Sequence, residues 1–90
     1  MEFEWDESKA RSNLKKHGVS FPYATRAFID PHRFERAERA VVYGEERWFI
    51  TALVDQLEIV VVFTERGDTV RIISARRATQ DERAEYWKDR

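Results

Sequence analysis

The chain has 90 residues, 42% of them apolar and twelve aromatic, enough for one small core spanning residues 1–90. It has no cysteine, which excludes disulfides, thiolate nucleophiles and zinc–sulfur sites. Sixteen Lys and Arg against seventeen Asp and Glu leave a net charge of −1, which argues against a freestanding nucleic-acid binder of the usual basic kind.

Phe3-Glu4-Trp5 alternates apolar and polar, as a short strand does. Asp6 reads as an N-cap for a helix from about Glu7 to His17, with Trp5 and Ala10 placed as a hydrophobic staple. The apolar stripe of that helix is thin, Ala10 and Leu14 only. Gly18 ends it, and Lys15, Lys16 and His17 suit the negative end of its dipole. Ser20 caps a second helix, in which Pro22 falls in the first turn and loses no intrahelical bond. That helix buries Ala24, Ala27 and Phe28 and stops at Asp30-Pro31.

From His32 to Glu46 the charges are mixed and the pattern irregular, which reads as a loop with at most a brief strand at Ala40 to Tyr43 before Gly44. Arg47 to Val54 alternates as a strand, and Asp55-Gln56 makes a tight turn. Leu57 to Thr64 is apolar on both faces, the mark of a central strand covered on both sides. Glu65 to Asp68 supplies a turn in which Gly67 is free to take a positive φ, and Thr69 to Arg76 resumes the β pattern. Thr79 and Glu82 form a capping box for a last helix through Trp87. The order is β-α-α-β-β-β-α: an α+β sandwich of two layers, with an antiparallel meander, the first strand at an edge and the helices on one face. With no signal-like or membrane-spanning run, a soluble cytoplasmic protein is expected.

The charge is uneven. Residues 1–27, 28–58 and 59–90 carry +1, −3 and +1, and Arg66 to Arg77 alone carries +3. A local basic hairpin in a near-neutral chain suits a small RNA site or an acidic partner rather than a long duplex groove. Phosphate-binding glycine loops are absent, and His17 and His32 are too few and too poorly partnered for a metal, so no metal and no cofactor is expected. One reaction needs only Arg, Lys, His, Tyr and Glu: attack of an RNA 2′-hydroxyl on its own phosphodiester, for which the protein supplies a base, an acid and cations. Arg76 and Arg77 should face opposite sides of their strand, so at most one shares a face with Arg66. Solvated charges, or partners for Asp81 and Glu82, are equally compatible with these two. Imidazole suits His17 to proton transfer, although a cation at a helix C-terminus is the plainer reading. Trp5, Trp48 and Trp87 offer stacking surfaces or core. Arg83 and Tyr86, three apart, share a helix face.

Taken together, FEWD at 3–6, Lys9, Asn13, KHGVSF at 16–21, Ala24, Phe28, DP at 30–31, ERW at 46–48, VVFTERGD at 61–68, RIISARRAT at 71–79, ER at 82–83 and Tyr86 resemble the BrnT toxins of type II toxin–antitoxin systems. The resemblance covers nearly the whole chain and is weakest at residues 32–45. It implies a RelE-like fold and a ribonuclease that blocks translation and is neutralised by a BrnA-type antitoxin. It further implies a dimer of toxin–antitoxin pairs that reaches operator DNA only through the antitoxin. On this basis Arg66, Arg76, Arg77, His17, Glu82 and Tyr86 become candidates for catalysis, and Lys9, Lys16, Arg47, Arg83 and Trp5 for RNA binding. The alternative is a non-catalytic module whose basic hairpin receives an acidic antitoxin segment or a gyrase-like target.

Overall fold

The computed structural model describes residues 1–42 and 45–88, and over 37–42 the backbone alone. The elements are β1 (Glu2–Glu4), α1 (Glu7–His17), α2 (Phe21–Thr25) continued by a 3₁₀ turn (Arg26–Ile29), β2 (Phe34–Val42), β3 (Glu45–Val54), β4 (Leu57–Arg66), β5 (Thr69–Arg77) and α3 (Gln80–Trp87). The five strands form one mixed sheet in the order β1-β5-β4-β3-β2. β2 to β5 make an antiparallel meander, and β1 joins its edge parallel to β5. No helix among the described residues is long and apolar enough to cross a membrane.

The class is α+β, and the sequence signals explain most boundaries. Asp6 accepts from Lys9 N at 2.9 Å to start α1, and Gly18, left-handed at φ 73°, ends it. Ser20 caps α2 in the same way. Thr79 and Glu82 close a reciprocal capping box on α3. The β3–β4 turn places both Asp55 and Gln56 at positive φ, and Arg26 holds the Asp55 carboxylate with both guanidinium nitrogens.

Two expectations are corrected. Residues 34–39, expected as loop, form one strand, β2, with residues 40–42 of the expected brief strand, paired to β3 from Phe34↔Thr51 onward; Tyr43 and Gly44, at which its expected end and the break fell, lie outside the described residues. An outermost strand takes hydrogen bonds from one neighbour and keeps both faces partly wet, so it need show no apolar alternation, and its charges discourage further pairing. The helices do not all share one face. α1, α2 and the 3₁₀ turn cover the side carrying Ile50, Ala52, Ile59, Val61, Phe63, Ile72 and Ala75, where Phe21, Ala24 and Ala27 are fully buried. α3 lies against one end of the opposite side, which carries Thr51, Val60 and Val62, through contacts to Arg36 and Arg76.

α1 docks without its expected apolar stripe. Leu14 is 49% exposed, while Asn13 is buried and bonds to Ala75 N and O on β5 and to Val19 O. β4 is central and apolar on both sides, with Val60 and Val61 at 0% exposure on opposite faces. Val61→Asp should therefore abolish the cooperative melting transition, because it buries an unpaired carboxylate in the main core. A variant that melts with the unaltered protein would contradict this placement of β4.

Candidate functional site

The side of the sheet opposite α1 and α2 is open at the end near the β4–β5 turn. Strand alternation brings Arg47, Thr64, Arg66 and Arg71 to that side from three neighbouring strands. They line a cleft of ≈ 180 Å³ together with Lys9, Glu45 and Ile73. A second cleft of ≈ 240 Å³ adjoins it, lined by Lys9, Ser12, Asn13, Lys16, His17, Ile73 and Ser74. Lys9, Asn13 and Lys16 fall on one face of α1 by their spacing, so the Asn13 clamp on β5 sets both lysines beside the sheet. Lys9 and Ile73 belong to both clefts.

Two arginines of this surface are held by carboxylates. Arg71 and Glu4 stand opposite each other in the β1–β5 pairing and meet at 2.7 Å. Arg66 meets Glu45 at 2.9 Å, with both side chains nearly half exposed. The Arg66–Glu45 pair, exposed on both partners, is worth about 0–1 kcal/mol and is readily exchanged, while in the part-buried Arg71–Glu4 pair the carboxylate is the more exposed partner.

Arg76 shares this side of the sheet, but its β4 partner Val60 stands six residues from Arg66, about 20 Å away at strand spacing. Its guanidinium makes a two-pronged bond to Glu82 at 2.7 and 2.9 Å, and Arg36 approaches the same carboxylate at 3.5 Å. The Arg76 bond first, and then Thr79, hold the Glu82 carboxyl down at about 2, against the opposing effect of burial. Arg77 opposes Ile59, on the other side of the sheet, and is exposed. The alternation expected for these two arginines is thus observed. Tyr86 is buried and its hydroxyl donates to Asp30, which also accepts from Leu53 N and His32 N. Burial works to raise the Asp30 carboxyl, but those donors hold it below the usual range. Arg83 donates to Ala78 O. Trp5 packs edge-on against Phe21 and donates to Glu7, outside both clefts.

Of the eleven site residues expected from sequence, the structure brings five together at the open end: Lys9, Lys16, His17, Arg47 and Arg66. Arg76 and Glu82 form a separate cluster under α3, and Tyr86, Arg77, Arg83 and Trp5 stand elsewhere. Arg71 was legible as a hairpin charge but was assigned no role, although its parity places it beside Arg66. Thr64 and Ile73 follow Arg66 and Arg71 by strand parity, whereas Ser74 and Ser12 had no sequence signal, because they depend on a β-bulge at Ile73 and on the docking of α1.

The fold and the open face define a small α+β protein that concentrates cations at one end of a single sheet surface. The family described as "Ribonuclease toxin, BrnT, of type II toxin-antitoxin system" matches residues 5–82, and the chain belongs to that family. A search of the curated proteins finds no match. A type II toxin has a protein antitoxin as its partner, so such a partner is implied here.

The state of Glu82 has a measurable consequence. Its folded pKa lies below the ordinary value of 4.5, so its contribution to stability is complete above pH 4.5 and is lost as pH falls toward about 2. The melting temperature of the protein should therefore drop more steeply between pH 4.5 and 2 than that of Glu82→Gln. Parallel curves would show that the Arg76–Glu82 pair does not govern α3.

Proposed function

We propose that this chain is a metal-independent endoribonuclease that cuts messenger RNA, and so blocks translation, by using the RNA's own 2′-hydroxyl as nucleophile. The observation that carries this reading is the convergence of Lys9, Lys16, Arg47, Arg66 and Arg71 beside His17 on one open sheet face. Membership of a ribonuclease toxin family supports the reaction class.

In this reading the phosphodiester enters the cleft of Lys9, Arg47, Arg66 and Arg71 and exchanges with the carboxylates of Glu45 and Glu4. His17 takes the proton from the 2′-hydroxyl. The 2′-oxygen bonds to phosphorus, the 5′-oxygen departs, and that leaving oxygen gains a proton delivered from Lys9 or solvent. The products are a 2′,3′-cyclic phosphate and a 5′-hydroxyl. The guanidinium groups stabilise the negative charge that builds on the phosphorane, which is the largest contribution such a site makes. Arg76, Glu82 and Tyr86 act by holding α3 against the sheet rather than by touching RNA. A BrnA-type antitoxin inhibits by covering part of the Arg66–Arg77 hairpin or the adjacent helices. Pairs of toxin and antitoxin then dimerise, and operator DNA is reached through the antitoxin alone.

The Glu45–Arg66 and Glu4–Arg71 pairs favour one competing reading, a non-catalytic module whose arginines accept carboxylates from an acidic antitoxin segment. Cleavage in EDTA separates the two. Purified toxin should cut RNA in EDTA to the cyclic-phosphate product, and a 2′-deoxy residue at the cut site should abolish cutting. Arg66→Ala or Arg71→Ala should lower the rate about a hundred- to thousandfold with little change in melting temperature, as expected for a lost phosphorane contact. Arg76→Ala should instead lower the melting temperature more than the rate. The antitoxin complex should be inactive. Products ending in a 3′-phosphate without a cyclic intermediate, or full activity in both cleft variants, would overturn this mechanism.

A further inference from the structure

Ile73 is out of place in the site just described. In the β4–β5 pairing Val62 faces Ser74 and Phe63 faces Ile72, which leaves Ile73 as the extra residue of a β-bulge. It takes no part in the buried core cluster and remains half-buried. Its side chain lines both clefts, with Lys9, Lys16, His17 and Ser74 on one side and Arg47, Thr64, Arg66 and Arg71 on the other. A surface that binds only phosphates has no use for a branched hydrocarbon at its centre, where it displaces water from the surrounding charges. Counted from Arg71, strand alternation puts Ile73 on the open side, and the bulge keeps Ser74 on that side too instead of turning it to the opposite face.

We infer that Ile73 is a substrate-positioning contact that packs against an unpaired nucleobase beside the bound phosphate, so that the site takes single-stranded RNA. The inference rests on the ribonuclease reading above and names its substrate class. Cations on both sides of Ile73 suit two successive phosphates of one strand, with the base between them turned onto the apolar side chain. In an RNA duplex the bases are stacked and paired, and their faces are not presented to a protein surface. Sequence-tolerant binding follows as well, because every base has an apolar face and the contact involves no hydrogen-bonding edge.

The test uses a labelled oligoribonucleotide that the purified toxin cuts at one site, the same strand lacking the base next to that site, and the strand annealed to its complement. The unaltered protein should cut the duplex at least tenfold more slowly than the single strand. Ile73→Ala should raise KM for the intact strand about tenfold, the size expected from losing a few buried methylene groups, with kcat changed far less. On the abasic strand the same substitution should change nothing, because the base it served is already missing. Ile73→Leu should restore most of the affinity and Ile73→Gln should not, and circular dichroism should show all three folded. Equal losses on the intact and abasic strands, or duplex cut as fast as single strand, would overturn the inference while leaving the ribonuclease reading intact. Failure of the unaltered protein to cut any of the three RNAs would overturn both.

Discussion

The arrangement depends on one side chain, Asn13. β1 is three residues long and pairs with β5 only from Thr69 to Arg71, so the outer edge of β5 beyond that point lacks a strand neighbour. Asn13 takes the place of one. Its amide donates to Ala75 O at 2.8 Å and accepts from Ala75 N at 3.2 Å, and it donates again to Val19 O at 3.0 Å. A carboxylate can only accept and an alkyl chain can do neither, so the amide is chemically suited to this place. Removing it leaves buried backbone groups unpaired, at about 1–3 kcal/mol for each group left unsatisfied. The same bonds fix α1 against β5 and tie down the junction to α2. The lysines on either side of Asn13 are thereby brought to the open face of the sheet.

The other end of that face is governed by Glu82. Its carboxylate caps α3 at Thr79 N, binds Arg76 on β5 and lies near Arg36 on β2. One side chain therefore starts a helix and also docks it, which is economical for a helix of eight residues with almost no apolar face. Tyr86 and Trp87 complete the attachment through Asp30 and Glu58. The attachment is largely polar, in contrast to the apolar packing of α2 on the opposite side.

Most of the local structure was legible in the sequence because its signals are local. The caps at Asp6, Ser20 and Thr79, the stop at Gly18 and the turn at Gly67 each depend on a few neighbouring residues. β2 was missed because an edge strand needs only one partner and little apolar pattern. The placement of α3 was missed because charges determine it: Arg76 with Glu82 reads in sequence like any two surface residues. For the site, residue type pointed correctly to cations but could not say which of them converge. Arg66 and Arg76 look close in the hairpin sequence, yet they stand at opposite ends of the β4–β5 hairpin. Lys9 lies far from both in sequence and beside Arg66 and Arg71 in space.

The near-neutral net charge, at first an argument against nucleic acid, has a local explanation in the carboxylates set against the arginines. Glu4 and Glu45 hold Arg71 and Arg66 in place and mask their charge. Such pairs contribute little to stability because water and salt screen them, so exchanging a carboxylate for a phosphate costs little. An arginine already ordered by one anion loses less side-chain freedom when it binds another. Glu82 differs in being largely shielded, bonded by both nitrogens of Arg76 and held down at about 2. Its exchange would detach α3 from the sheet. The two clusters are thus built from the same residue types, and burial of the carboxylate rather than of the arginine separates the exchangeable pairs at the open end from the fixed pair under α3.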